Sequence, residues 1–157
     1  MKKITLILII AVTATACSIG DDGPGIGYSY VGILDATLPE NFVIDQEYEI
    51  DITYDLGSEC NTFNNFELDG RQHQEHDSIY EFFLTAVVSY DMGNAANCSD
   101  DGIVETKNWT EDFAINSDRY DLIRFNMLSG RNPDGTPEYL VKDVLVIEQE
   151  ETEEPTE

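Results

Sequence analysis

The chain has 157 residues and carries 8 Lys plus Arg against 32 Asp plus Glu, a formal net charge of −24. That length accommodates one domain of the usual ~100–150 residues once targeting and tail segments are set aside. The charge repels nucleic acid at long range and excludes it as a partner, while favouring solubility, cationic partners or divalent ions.

Residues 1–16 open on Met1-Lys2-Lys3, continue through an apolar run from Ile4 to Val12, and end on small residues, the layout of a secretory signal peptide. The run is shorter than the ~20 residues a spanning helix needs, so cleavage rather than retention is predicted. Loss of Lys2 and Lys3 leaves six basic against 32 acidic residues, a balance of −26. No second apolar run of that length follows, and the mature chain is not expected to span a membrane.

Ala14-Thr15-Ala16-Cys17 resembles the lipobox of bacterial lipoproteins, with Ala14 where Leu is usual. The resemblance implies cleavage before Cys17, a diacylglyceryl thioether on its sulfur, and acylation (palmitate-type) of its amine. One chain holds a protein marginally, at ~0.8 kcal/mol per buried CH₂, whereas two or more anchor it stably. The alternative is a plain secretory signal that leaves Cys17 as an odd thiol. Ser18-Ile19-Gly20-Asp21-Asp22 resembles the export signals of surface lipoproteins in the Bacteroidota, which implies an outer-membrane protein facing the cell surface. Residues 17–27, rich in glycine around Gly23-Pro24-Gly25-Ile26-Gly27, read as a lipidated flexible tether. The spaced glycines follow no strand and precede no helical pattern, so they form no phosphate cradle.

Residues 28–148 read as one β-domain. Tyr48, Ile50, Ile52 and Tyr54 alternate with polar residues from Glu47 to Asp55, the period of a strand with one buried face, and Leu56-Gly57-Ser58 ends the run with turn chemistry. Further strands are predicted over 28–34, 61–68, 79–90, 107–115, 120–128 and 138–147. Trp109, Phe113 and Ile115 share one face, and Val144 and Val146 oppose Leu145 and Ile147. Phe82 to Val88 is apolar on both faces, as in a central strand. Asn132-Pro133-Asp134-Gly135 spells a turn between the last two strands. About seven strands separated by turns predict an all-β, two-sheet antiparallel sandwich.

The Leu38-Pro39 start, the Tyr48-x-Ile50-x-Ile52-x-Tyr54 strand, Cys60, Cys98, Tyr120 and Phe125 together resemble the immunoglobulin-like lipoprotein domains of flavobacterial genomes. The resemblance covers Tyr28 to Glu148 and implies an immunoglobulin-like sandwich with no defined activity. Asp118-x-Tyr120 is similar to the tyrosine corner of that fold, although Leu122 stands where many members have a cysteine. The tail, 149–157, is acidic and lacks apolar residues, and is predicted to be disordered.

With Cys17 assigned to lipid, Cys60 and Cys98 form an even pair in an oxidising compartment, and a disulfide is predicted. It closes a loop of 38 residues, for which chain entropy gives roughly 4 kcal/mol. Zinc or redox use is the alternative, but no CxxC spacing and no nearby histidine accompany the pair.

His73-Gln74-Glu75-His76 is the one histidine cluster. Two histidines three apart on a helical turn chelate a metal with Glu75 or Asp77, but the zinc-protease spacing is HExxH and an exposed loop fits better. Asn97-Cys98-Ser99-Asp100-Asp101-Gly102 resembles a calcium loop but has Asn108 where the bidentate Glu belongs. Asp77-Ser78-Ile79 resembles the bacterial O-glycosylation sequon, and Asn108-Trp109-Thr110 matches the eukaryotic N-glycan pattern. No nucleophile elbow, phosphate loop or spaced acid pair is present, so neither catalysis, a resident metal nor a cofactor is predicted.

The functional expectation is a lipid-anchored envelope or surface protein acting as a binding or structural module, whose loops meet a protein or glycan partner through aromatics exposed on them. The competing expectation is a zinc- or calcium-dependent envelope enzyme, or an ion-binding protein, using His73/His76 or the Ser99–Asp101 loop.

Overall fold

The computed structural model describes residues 25–93, 98–99 and 101–148. The signal segment, Cys17, the tether up to residue 24, Asn97, Asp100 and the acidic tail lie outside the described residues.

The chain is an all-β sandwich. Its strands are β1 (Ile26–Val31), β2 (Ile33–Ala36), β3 (Asn41–Val43), β4 (Glu47–Asp55), β5 (Thr62–Gln72), β6 (Ile79–Asp91), β7 (Val104–Ala114), β8 (Leu122–Arg131) and β9 (Pro137–Ile147). The larger sheet runs β1-β6-β8-β9-β3 with β5 also on β6, and the smaller runs β2-β4-β7.

The thirteen residues of β6 organise the larger sheet. One edge is taken by β5 from Thr62↔Ser89 to Gln72↔Tyr80. The opposite edge is shared: β8 pairs in parallel with Ile79–Leu84, and β1 pairs antiparallel with Ala86–Asp91. An apolar sequence on both faces is what such a position demands.

Two features extend the sequence expectation of about seven strands. The run read as one strand over 28–34 is divided at Gly32 into β1 in one sheet and β2 in the other. A Cβ on Gly32 would lie 2.5 Å from the Ser129 carbonyl oxygen, so only glycine lets the backbone cross there. The short β3 carries no alternating pattern and is held by parallel pairing to Leu145–Ile147. The β3–β9 and β6–β8 pairs are parallel, in a sandwich otherwise built antiparallel. Ile26 and Gly27, expected at the end of the tether, belong to β1.

The core lies between Ile50, Ile52 and Tyr54 of β4 and Leu84, Ala86, Val88, Ile123, Phe125, Met127 and Val144 of the larger sheet. Each fully buried large side chain contributes roughly 1.5–3 kcal/mol of transfer free energy. One end is aromatic: Phe42 lies 5.1 Å from Tyr48, 5.2 Å from Phe113 and 6.1 Å from Phe125. The hydroxyl that meets the main chain here belongs to Tyr48, which accepts the Val43 N–H at 2.8 Å. Tyr120, the expected corner residue, packs its ring on Tyr80 at 5.0 Å. At the other end Tyr54, Phe63 and Phe66 pack together, and Cys60–Cys98 bridges the β4–β5 and β6–β7 connections with a Cα–Cα distance of 5.7 Å. Ser58 Oγ reinforces that bridge by donating to the Ser99 carbonyl at 2.9 Å.

Candidate functional site

The two outer faces differ in chemistry. On the smaller sheet, Glu49 and Asp51 accept from the Asn108 side chain, and Thr53 pairs with Thr106 at 2.8 Å, so that face is acidic and polar. On the larger sheet, Tyr28 and Tyr30 project from β1 at 62% and 52% exposure, next to a groove of about 590 Å³. That volume falls within the roughly 300–1,000 Å³ typical of small-ligand sites.

The groove follows from strand register, because directly paired residues project from the same face. Tyr30 and Asn65 are both partners of Val87, and Tyr28 and Thr62 are both partners of Ser89. β6 thus supplies a floor of small side chains, with β1 and β5 as walls. At ~4.8 Å per strand, those walls stand roughly 10 Å apart. Val87 is 5% exposed beneath them.

Both polar flanks depend on breaks in the ladder. In β5 the register shifts between Phe63↔Val88 and Asn65↔Val87, inserting Asn64 as an extra residue. This bulge keeps Phe63 and Phe66 both in the core while Asn64 and Asn65 line the groove, the former donating to the latter at 2.5 Å. In β8 the register shifts between Leu128↔Tyr139 and Gly130↔Glu138. Strict alternation from Arg124 and Asn126 would turn residue 131 inward, whereas the shift returns Arg131 to the outer side with its partner Pro137. Bulges re-aim side chains in this way and concentrate beside functional sites. Arg131 lines the groove with Glu67, and its guanidinium is steadied by donating to the Gly135 carbonyl at 3.1 Å. The β8–β9 turn that provides this carbonyl follows the sequence expectation: Gly135 has φ +85° and donates to the Asn132 carbonyl at 2.8 Å.

A second depression shares Glu67 and carries the groove along β5 and β6 to Phe83. The ring of Phe83 lies 5.8 Å from that of Tyr139 and beneath the Arg71 guanidinium at 4.2 Å. Farther across the sheet, Arg124 grips Asp143 through two hydrogen bonds of 2.8 Å and holds its carboxyl below the usual range. Lys142 reaches the smaller sheet at Asp35 and the Ala36 carbonyl, and the bond to Asp35 likewise lowers that carboxyl. In the interior, burial and then the hydrogen bond to Glu105 push the Tyr54 phenol up.

The other sequence candidates lie elsewhere. His73 and His76 sit 5.1 Å apart in the β5–β6 turn, where His73 Nδ1 accepts the Glu75 N–H at 3.1 Å. Ser99 and Asp101 belong to the segment joined by the disulfide, with Asp101 N–H donating to Ser99 Oγ at 3.1 Å. Among the described residues neither place gathers three metal-ligating side chains, and no such group occurs elsewhere among them. No described helix is long and apolar enough to cross a membrane.

Tyr28, Tyr30, Asn64, Asn65, Glu67 and Arg131 were not singled out as site residues by the sequence. The available signal was the spacing of Phe63 and Phe66: two core aromatics three apart break period two and mark an inserted residue. No protein-family model, curated protein or solved structure matches the chain.

Proposed function

We propose that the protein is a lipid-anchored binding module of the bacterial cell envelope, of the immunoglobulin-like lipoprotein kind, that recognises its ligand through the outer face of its larger sheet. The observation that carries the reading is the paired placement of Tyr30 and Asn65 on either side of Val87, in a groove whose polar residues are delivered by two bulges. Rigid sandwiches commonly carry recognition on their loops, whereas Tyr28 and Tyr30 stand on strand β1; exposed tyrosines supply large contact area at low entropic cost.

The address rests on the sequence. A signal peptide ending at Ala16 leaves Cys17 to carry lipid, fixing the mature protein to the outer membrane with the acidic Asp21-Asp22 segment directing it to the surface. The Cys60–Cys98 bridge is in keeping with an oxidising compartment. Because β1 is the strand nearest the anchor, Tyr28 stands no farther than about 40 Å from Cys17 even at full extension, at roughly 3.5 Å per residue. The groove therefore works close to the membrane surface. The residues lining the groove and its continuation include two carboxylates, Glu67 and Asp69, beside the amides of Asn64 and Asn65, a polar lining suited to hydrogen bonding a ligand.

Co-sedimentation with washed envelopes tests the reading, using the mature chain from residue 18 onward so that lipid plays no part. The unaltered chain should sediment with envelopes, a Tyr28→Ala/Tyr30→Ala variant should stay in the supernatant, and Thr53→Ala on the opposite face should behave as the parent. Equal sedimentation of all three would refute the assignment of the recognition face.

A further inference from the structure

We propose that the groove binds an uncharged oligosaccharide lying along β5 and β6, with its sugar rings against Tyr28 and Tyr30. The proposal rests on the reading of this face as the recognition surface and adds the chemical class of the ligand.

Sugars present two kinds of surface. Their C–H faces stack on aromatic rings, and their hydroxyls need partners that both donate and accept. The two exposed tyrosines provide the first on one wall. The opposite wall provides the second: Asn64 and Asn65 carry amides, each with donors and an acceptor, and Glu67 adds an acceptor-only carboxylate. Arg131 contributes a planar fork of donors suited to neighbouring hydroxyl oxygens. Walls roughly 10 Å apart, two inter-strand spacings, leave room for one ring's width.

The length of the groove argues for an oligomer. From Val87 to Phe83 the floor of β6 covers roughly 13 Å at about 3.3 Å per residue, and the depression continues over that distance through Glu67. A peptide strand would instead seek open sheet-edge hydrogen bonds. The floor strand is paired on both edges, by β5 on one side and by β8 and β1 on the other, so the groove floor offers only side chains; the outer edge of β5 pairs with no described strand but faces away from the groove.

The charge selects against acidic glycans. Among the lining residues Glu67 and Asp69 outnumber Arg131, and the chain's net charge of −24 repels a polyanion approaching from solution. Two bulges shape this face. Each departs from regular pairing, and together they turn Asn64, Asn65 and Arg131 toward the same space as the tyrosines.

Affinity electrophoresis of the mature chain in native gels containing β-glucan, xylan, mannan or dextran, with heparin in a parallel gel, tests the proposal. At least one neutral polysaccharide should retard the protein and heparin should not. Tyr30→Ala should weaken retardation about tenfold, with Tyr30→Trp restoring it, while thermal melting of both variants stays at the parental temperature. Absence of retardation in all four neutral gels would overturn the proposal, as would retardation indifferent to Tyr30→Ala. Should envelope co-sedimentation still depend on Tyr28 and Tyr30 in that event, the recognition face would stand and the ligand would not be a neutral sugar. Retardation by heparin alone would likewise reject the neutral class.

Discussion

Tyr30 and Asn65 never meet in the sequence or in a hydrogen bond, yet both are direct cross-strand partners of Val87, one from each side of β6. A central strand with small outward residues and two flanking strands bearing a ring and an amide forms a groove through register. Asn64, the extra residue of β5, adds a second amide to the rim.

Deleting Asn64 should bring Phe63 and Asn65 into consecutive pairing with Val88 and Val87, converting β5 into a regular strand without moving any other pair. Stability should change by no more than about 1 kcal/mol, because every core contact of Phe63 and Phe66 is retained. Envelope binding should fall. Urea titration and co-sedimentation of the same preparation measure both.

Removal of the disulfide should cost far more. Cys60→Ser/Cys98→Ser frees a loop of 38 residues and should destabilise the domain by roughly 4 kcal/mol, with a steeper urea dependence as the unfolded chain expands. Equilibrium unfolding with and without reductant provides the comparison.

Gly32→Ala should destabilise through the backbone rather than the core. The new methyl would meet the Ser129 carbonyl at 2.5 Å, at the point where the chain passes between sheets. Overpacking of this kind typically costs 1–3 kcal/mol, which calorimetry would register as a fall in Tm. Phe42→Ala probes the opposite defect: it empties a fully buried site among Tyr48, Phe113 and Phe125 and should cost about 3–5 kcal/mol.

The pH dependence has a definite sign. Asp143 is held below its ordinary range by Arg124, so the pair's contribution is complete above the unfolded carboxyl pKa of about 4 and is lost as pH falls through the folded value. Partial exposure limits it to roughly 0.5–1 kcal/mol. Asp143→Asn should therefore be less stable than the parent at pH 7 by that amount, and the gap should close below about pH 4. A gap that widens on acidification would reverse the assignment.

Much of the sandwich was legible in sequence because alternation survives where one face is buried. Tyr48 to Tyr54 shows it plainly, and the turn at Asn132–Gly135 and the pairing of Cys60 with Cys98 were equally readable. The crossing at Gly32 was not, since a strand that changes sheets keeps its alternation while its partners change. β3 escaped because three residues are too few to display a period. The groove was hidden for a related reason: Tyr28, Asn65 and Arg131 come together through pairings distant in sequence, and the bulges that expose them look like lapses in pattern.

The most direct test of the anchored-module account is the intact mass of the protein purified from bacterial membranes. The expected species is a chain beginning at Cys17, heavier than its peptide by a diacylglyceryl group and an amide-linked acyl chain, and replaced by an unlipidated soluble or precursor form in Cys17→Ala. A mass equal to the unmodified chain from Met1, or to a cleaved chain with a free Cys17 thiol, would contradict it.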